Sequence, residues 1–136
     1  MTEKDKLSRR KLNIYFALGV VVLAALAAVG VIHFKNVVTE PSGNDVWGHM
    51  YKSEYLYKAL IYPLYDETWY NGIQLYRYWP PLSYYITALL MCFTGGNVIN
   101  AYYLLFGVYI FFGGLAFLLI GRRIGRPVFG TALAVL

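Results

Sequence analysis

Residues 81–96, "PLSYYITALLMCFTGG", decide how this chain is folded. Paired prolines open the stretch, a glycine pair closes it, and everything between is uncharged. A helix needs about 20 apolar residues to cross a ~30 Å hydrocarbon core, so this run is short for a span. Aromatic residues from Tyr76 onward can lengthen it at the lipid–water boundary. Two readings follow. A full span with a cytoplasmic N-terminus sends Arg122, Arg123 and Arg126 outside, against the positive-inside rule. A re-entrant or interfacial helix keeps those arginines inside. Long upstream determinants can dominate topology, and on that ground the full span is the expectation.

The flanks are easier to read. Residues 13–32, "NIYFALGVVVLAALAAVGVI", and 101–121, "AYYLLFGVYIFFGGLAFLLIG", carry no charge and are long enough to span. The first follows a basic head with Lys4, Lys6, Arg9, Arg10 and Lys11, which predicts a cytoplasmic N-terminus. A cleaved signal peptide is the rival, since "ALA" at 25–27 resembles a cleavage site, but the apolar run continues past it. Of 136 residues, 59% are hydrophobic and 14% charged, against about 25% charged in soluble domains, and this fits a membrane protein. The +5 net charge comes largely from clusters beside apolar segments, which are topology signals rather than a nucleic-acid surface. Cys92 is the single cysteine and excludes an intrachain disulfide. "PVFGTALAVL" at 127–136 starts a fourth apolar stretch too short to cross, so a longer polytopic chain is expected.

The predicted architecture is therefore all-α and integral to the membrane, with about three transmembrane helices and the start of a fourth. A head at 1–12 precedes helices at 13–32, 80–96 (transmembrane or re-entrant) and 101–121, with a basic turn and the start of a helix at 122–136. Residues 33–79 form a long first outer loop. Within it, Pro41, Ser42 and Gly43 make a turn, and Asn44 is a good N-cap for an interfacial helix over 44–60. Pro63, Asn71-Gly72 and Pro80-Pro81 break the remainder into an ordered loop.

That helix puts Asp45, His49 and Lys52 at i, i+4 and i+7, on one face. Asp45 can act as general base toward an acceptor hydroxyl or ligate a divalent metal. An acid in a first helical turn is also stabilised by the macrodipole without any chemistry. His49 is a second acid/base or a hydrogen-bonded interfacial residue. Lys52 can hold a phosphate as a point charge, or snorkel from a surface helix, the more ordinary arrangement. Arg77, amid "LYRYWPP", suits a lipid phosphate or stacks as an interfacial anchor. The adjacent acids Asp66 and Glu67 point different ways on most backbones and make a poor dyad. Gly113-Gly114 reads as close helix packing.

One anchor helix, an outer loop with an acid near its start, and an aromatic-Pro-Pro approach to the next segment resemble the N-terminal part of GT-C type membrane glycosyltransferases. The stretches "DVWGHMYKSEYLYKAL", "YPLYDETWYNGIQLYRYWPPLSYYI" and "GRRIGRP" more closely resemble bacterial polytopic proteins known as six-pyruvoyl-tetrahydropterin-synthase-related or YfhO-like. The resemblance implies a multi-span plasma-membrane enzyme that takes sugar from a polyprenyl-phosphate donor, with a catalytic carboxylate in its first outer loop. Asp45 matches that carboxylate by position, and Asp45 with His49 fits a D-x-x-x-H pattern. Many GT-C enzymes carry two adjacent acids there, where this chain has Asn44-Asp45, so dependence on a divalent cation stays open. Most of the lipid-tail groove must come from later spans, and residues 1–136 alone are expected to be inactive.

A different class competes: a small non-catalytic membrane subunit that assembles with a partner protein through its outer loop or its Gly-rich third helix. A transporter fragment fits less well, because its spans would carry buried ionisable residues, and these carry none. The bilayer is a partner under every reading.

Overall fold

The computed structural model describes residues 3–37, 43, 45–59, 65–69, 71–78 and 80–126, with side chains from residue 9 onward. Among these the chain is all-helical apart from one isolated bridge: α1 is Glu3–Val37, α2 Val46–Ala59, α3 Leu82–Phe93 and α4 Val98–Arg123. Asn44, the residue read as N-cap, and the apolar stretch at 127–136 lie outside the described residues. Two compact units emerge: Met1–His33 with Phe106–Leu136, and Phe34–Leu105.

In the first unit α1 and α4 run antiparallel. Gly107 of α4 faces Val31, and a Cβ at Gly114 would collide with Leu23. One step further along, Arg122 donates to Asn13 Oδ1 at 2.9 Å and lies 4.8 Å from the Phe16 ring centroid. As the α4 numbers rise, the α1 numbers fall. Gly107, Gly114 and Gly121 are all buried and recur every seventh residue, forming one small-residue seam that lets the backbones approach. Leu23 and Leu118 fill the space between. Gly113 has nothing within 4 Å of where a Cβ would stand, so of the glycine pair only Gly114 serves this packing.

Both helices are long and apolar enough to cross a bilayer, over Arg9–Val37 and Val98–Arg123. Val21, Val29, Ile32, Phe112, Phe117 and Ile120 are exposed, a surface suited to lipid. Three full spans were expected from the sequence, and two helices meet that length. At 12 residues α3 is about 18 Å long, against a ~30 Å core. The Arg122–Asn13 bond also sets Arg122 and its neighbours at the same end of the pair as Arg9, Arg10 and Lys11. A full span at 81–96 calls for the opposite end.

The second unit is built on α2 packed against α3. Its centre is Leu56, Leu75, Tyr76 and Tyr84, with Tyr51, Tyr55, Trp69, Ile73 and Ala88 around them. Asp66 and Ile73 exchange both backbone hydrogen bonds at 2.9 Å, and the chain turns between them through Asn71 (φ 62°) and Gly72 (φ 110°). Only glycine suits position 72, where a Cβ would run into the Tyr65 ring. The "TGGN" that closes α3 is a two-sided cap. Gly96 N–H bonds Met91 O at 2.9 Å across left-handed Gly95, and Asn97 Oδ1 accepts from Asn100 N–H at 2.9 Å to start α4.

Candidate functional site at the head of α2

Helix α2 begins one residue later than the sequence implies. The Asp45 carbonyl accepts the first helical bond, from His49 N–H at 3.0 Å, so Asp45 itself is the N-cap residue. Asp45 is exposed, His49 half-buried and Lys52 only 6% exposed. The face they share is not a solvated side. It runs from solvent at Asp45 down into the body of the unit, continuing through Ser53 and Leu56, which are also buried.

His49 Nδ1 lies 2.9 Å from the Tyr84 hydroxyl, and the two rings stack with centroids 5.8 Å apart. The Lys52 ammonium sits 5.5 Å from the Trp69 ring centroid and 5.8 Å from that of Tyr84. This overturns the snorkelling expectation: the lysine head is drawn inward over two aromatic faces, where cation–π attraction offsets part of its desolvation. Burial pushes the Lys52 ammonium below the ordinary lysine value, and the Asp45 carboxylate pulls it partly back. Just below, Tyr76 donates to the Lys52 carbonyl at 2.6 Å, fixing this turn of α2 to the loop.

A second cluster supports the first. Asp66 is 1% exposed and accepts from Tyr51 Oη at 2.6 Å, from Thr68 Oγ1 at 2.7 Å and from Thr68 N–H at 2.9 Å. Burial raises its carboxyl, and these three donors together outweigh that and hold it below the usual value. The Tyr51 phenol is pushed up, by burial first and by giving its proton to Asp66 second, so it remains an O–H. Glu67 stays exposed, and the adjacent acids do part ways.

Asp45, His49 and Lys52 thus share one face of the head of α2. Arg77 does not join them: it is exposed, reaches Gln74 Oε1 at 3.3 Å and packs on its neighbour Tyr78. Among the described residues no three His, Cys, Asp or Glu side chains gather as a metal cluster. The residues that sequence reasoning missed are the aromatic partners, Tyr51, Trp69, Tyr76 and Tyr84. In a chain with 14 tyrosines nothing in the local pattern marks these four. Only the packing of α2 against α3 and the loop between them selects them.

A family model for the 6-pyruvoyl-tetrahydropterin synthase related domain, described as a membrane protein, matches residues 76–136. The second half of the chain is similar to that membrane family. The match takes in Arg77, α3 with Tyr84, and α4, while Asp45, His49 and Lys52 precede it. No curated protein and no solved structure matches the chain. The family description and the two long apolar helices agree on a membrane protein.

Proposed function

We propose that this chain is the N-terminal part of a GT-C type membrane glycosyltransferase acting on the extracytoplasmic side of the plasma membrane. In this reading α1 and α4 cross the bilayer, both basic ends stay in the cytoplasm, and α3 lies with α2 at the outer surface. The observation that carries it is the gradient along α2, an exposed carboxylate at Asp45 leading to a desolvated cation at Lys52. Asp45 takes the proton of an acceptor hydroxyl. The acceptor oxygen then bonds to the sugar's anomeric carbon, the carbon–oxygen bond to phosphate breaks, and polyprenyl phosphate leaves with the electron pair. Lys52 stabilises the negative charge that develops on the phosphate. His49, held through Nδ1 by Tyr84, orients the donor or relays the proton.

General-base catalysis is worth about 10²–10⁴ in rate, so Asp45→Asn in the full-length protein is expected to lower transfer from a polyprenyl-phosphate-linked sugar by at least ~100-fold. Membrane insertion and thermal stability should not change. Full activity in the Asp45→Asn protein would remove the carboxylate from the mechanism. The alternative, a non-catalytic subunit, is favoured by one feature: Gly113 opens onto the exposed side of α4, next to exposed Phe112.

A further inference from the structure

Trp47, Gly48, Tyr51, Thr68 and Trp69 line an open groove of about 440 Å³. Three of its five walls are aromatic. Trp47 is 50% exposed and stands outside the packed centre of the unit. Tyr51 and Trp69 meet edge to face at 4.9 Å. Gly48 keeps the floor low, since a Cβ there would come within 3.2 Å of the Trp69 ring edge.

The polar atoms of the groove have a fixed sense. Tyr51 gives its only hydroxyl proton to Asp66 Oδ2, and Thr68 gives its own to Asp66 Oδ1. The two hydroxyl oxygens lie 2.8 Å apart with both protons already committed. Toward a ligand they can therefore only accept. An occupant must bring hydroxyl or amine donors, together with an apolar face for the rings. A lipid chain has the face and lacks the donors. A phosphate brings acceptors to a place that already holds lone pairs and a buried carboxylate. A pyranose has both properties: axial C–H groups on one face, and neighbouring hydroxyls whose oxygens are spaced like the Tyr51–Thr68 pair.

The geometry points to this groove as a saccharide subsite that stacks one pyranose ring on Trp47 and Trp69 and takes a vicinal diol on Tyr51 and Thr68. It deepens the glycosyltransferase reading by naming where a sugar of donor or acceptor rests, and it depends on that reading only for its biological role.

The test uses the full chain in phosphatidylcholine nanodiscs, free of glycoside detergents whose headgroups would occupy the groove. Saturation-transfer NMR is run with the methyl glycosides of glucose, galactose and N-acetylglucosamine up to about 10 mM, a range that reaches beyond a ~1 mM dissociation constant. Ring C–H protons of at least one glycoside should take saturation from the protein's aromatic protons. Trp47→Ala should weaken that binding roughly five- to tenfold, the scale of one lost ring contact, and Trp47→Phe should restore part of it. Circular dichroism checks the helices of both variants, and Trp47→Phe alone carries the comparison if Trp47→Ala loses them. No transfer to any of the three glycosides overturns the proposal. So does binding indifferent to residue 47, or saturation of decanol or adenosine instead of the sugars. A chain that binds a pyranoside but transfers none sinks the enzyme and keeps the groove. A chain that transfers sugar with residue 47 immaterial does the reverse.

Discussion

At the scale of single residues, the loop between α2 and α3 shows how a charge is used once water is removed. Asp66, read in the sequence as half of a poor dyad with Glu67, is made by its three donors a clasp that ties the loop to α2 through Tyr51. Its folded value lies below the ordinary 3.8, so the clasp contributes stability above that pH and loses it as pH falls through the folded value. Acid titration should therefore change the emission of Trp69, packed on Tyr51, only below about pH 4. Asp66→Asn should cost about 1–3 kcal/mol in urea unfolding and abolish that acid transition, because an amide cannot accept all three bonds. An unchanged transition in Asp66→Asn would mean that another group titrates. Asp45, His49 and Lys52 were legible as a set because helical spacing alone aligns them. Lys52's burial was not, since a lysine's depth depends on rings that approach from α3 and the loop, and no local pattern encodes that approach.

At the scale of elements, the seam of α4 separates two glycines that look equivalent in sequence. Gly114 lies against Leu23 and Gly113 against nothing. Gly114→Leu should force α1 and α4 apart at an overpacking cost of about 1–3 kcal/mol, seen as a lower thermal midpoint and a lost cross-link between cysteines at 31 and 107, which face each other. Gly113→Leu should leave both readings unchanged. If Gly113→Leu instead disrupts a larger complex while α1 and α4 stay joined, the partner-subunit reading gains its interface. The apolar runs of α1 and α4 were plain in the sequence because length and hydropathy are one-dimensional properties. The boundary between α3 and α4 was equally written there, in Gly95-Gly96 followed by Asn97. The seven-residue recurrence of Gly107, Gly114 and Gly121 is also present in the sequence, beside the more conspicuous adjacent pair.

At the scale of the whole molecule, the decisive question is on which side of the bilayer the chain's basic ends lie. Composition does not answer it, because the 81–96 segment satisfies hydropathy and fails length, and the bond that favours one reading joins distant residues. With Cys92 replaced by Ser, single cysteines at Ser8, Lys35 and Arg126 should respond to an impermeant maleimide as two against one. Positions 8 and 126 should react only from the cytoplasmic side, and position 35 only from outside. Labelling of 126 from the outside would separate α4's end from α1's beginning and restore a third span at 81–96. The Asn13–Arg122 bond also carries a consequence in time. Its partners are 109 residues apart in the chain. At synthesis rates of ~5–20 residues per second, Arg122 is made roughly 5–22 s after Asn13. For that interval α1 stands in the membrane without its mate, its Leu23 and Ala27 packed against lipid alone. In the proposed topology Arg9, Arg10 and Lys11 therefore set the orientation before the helix that would share their side has been translated.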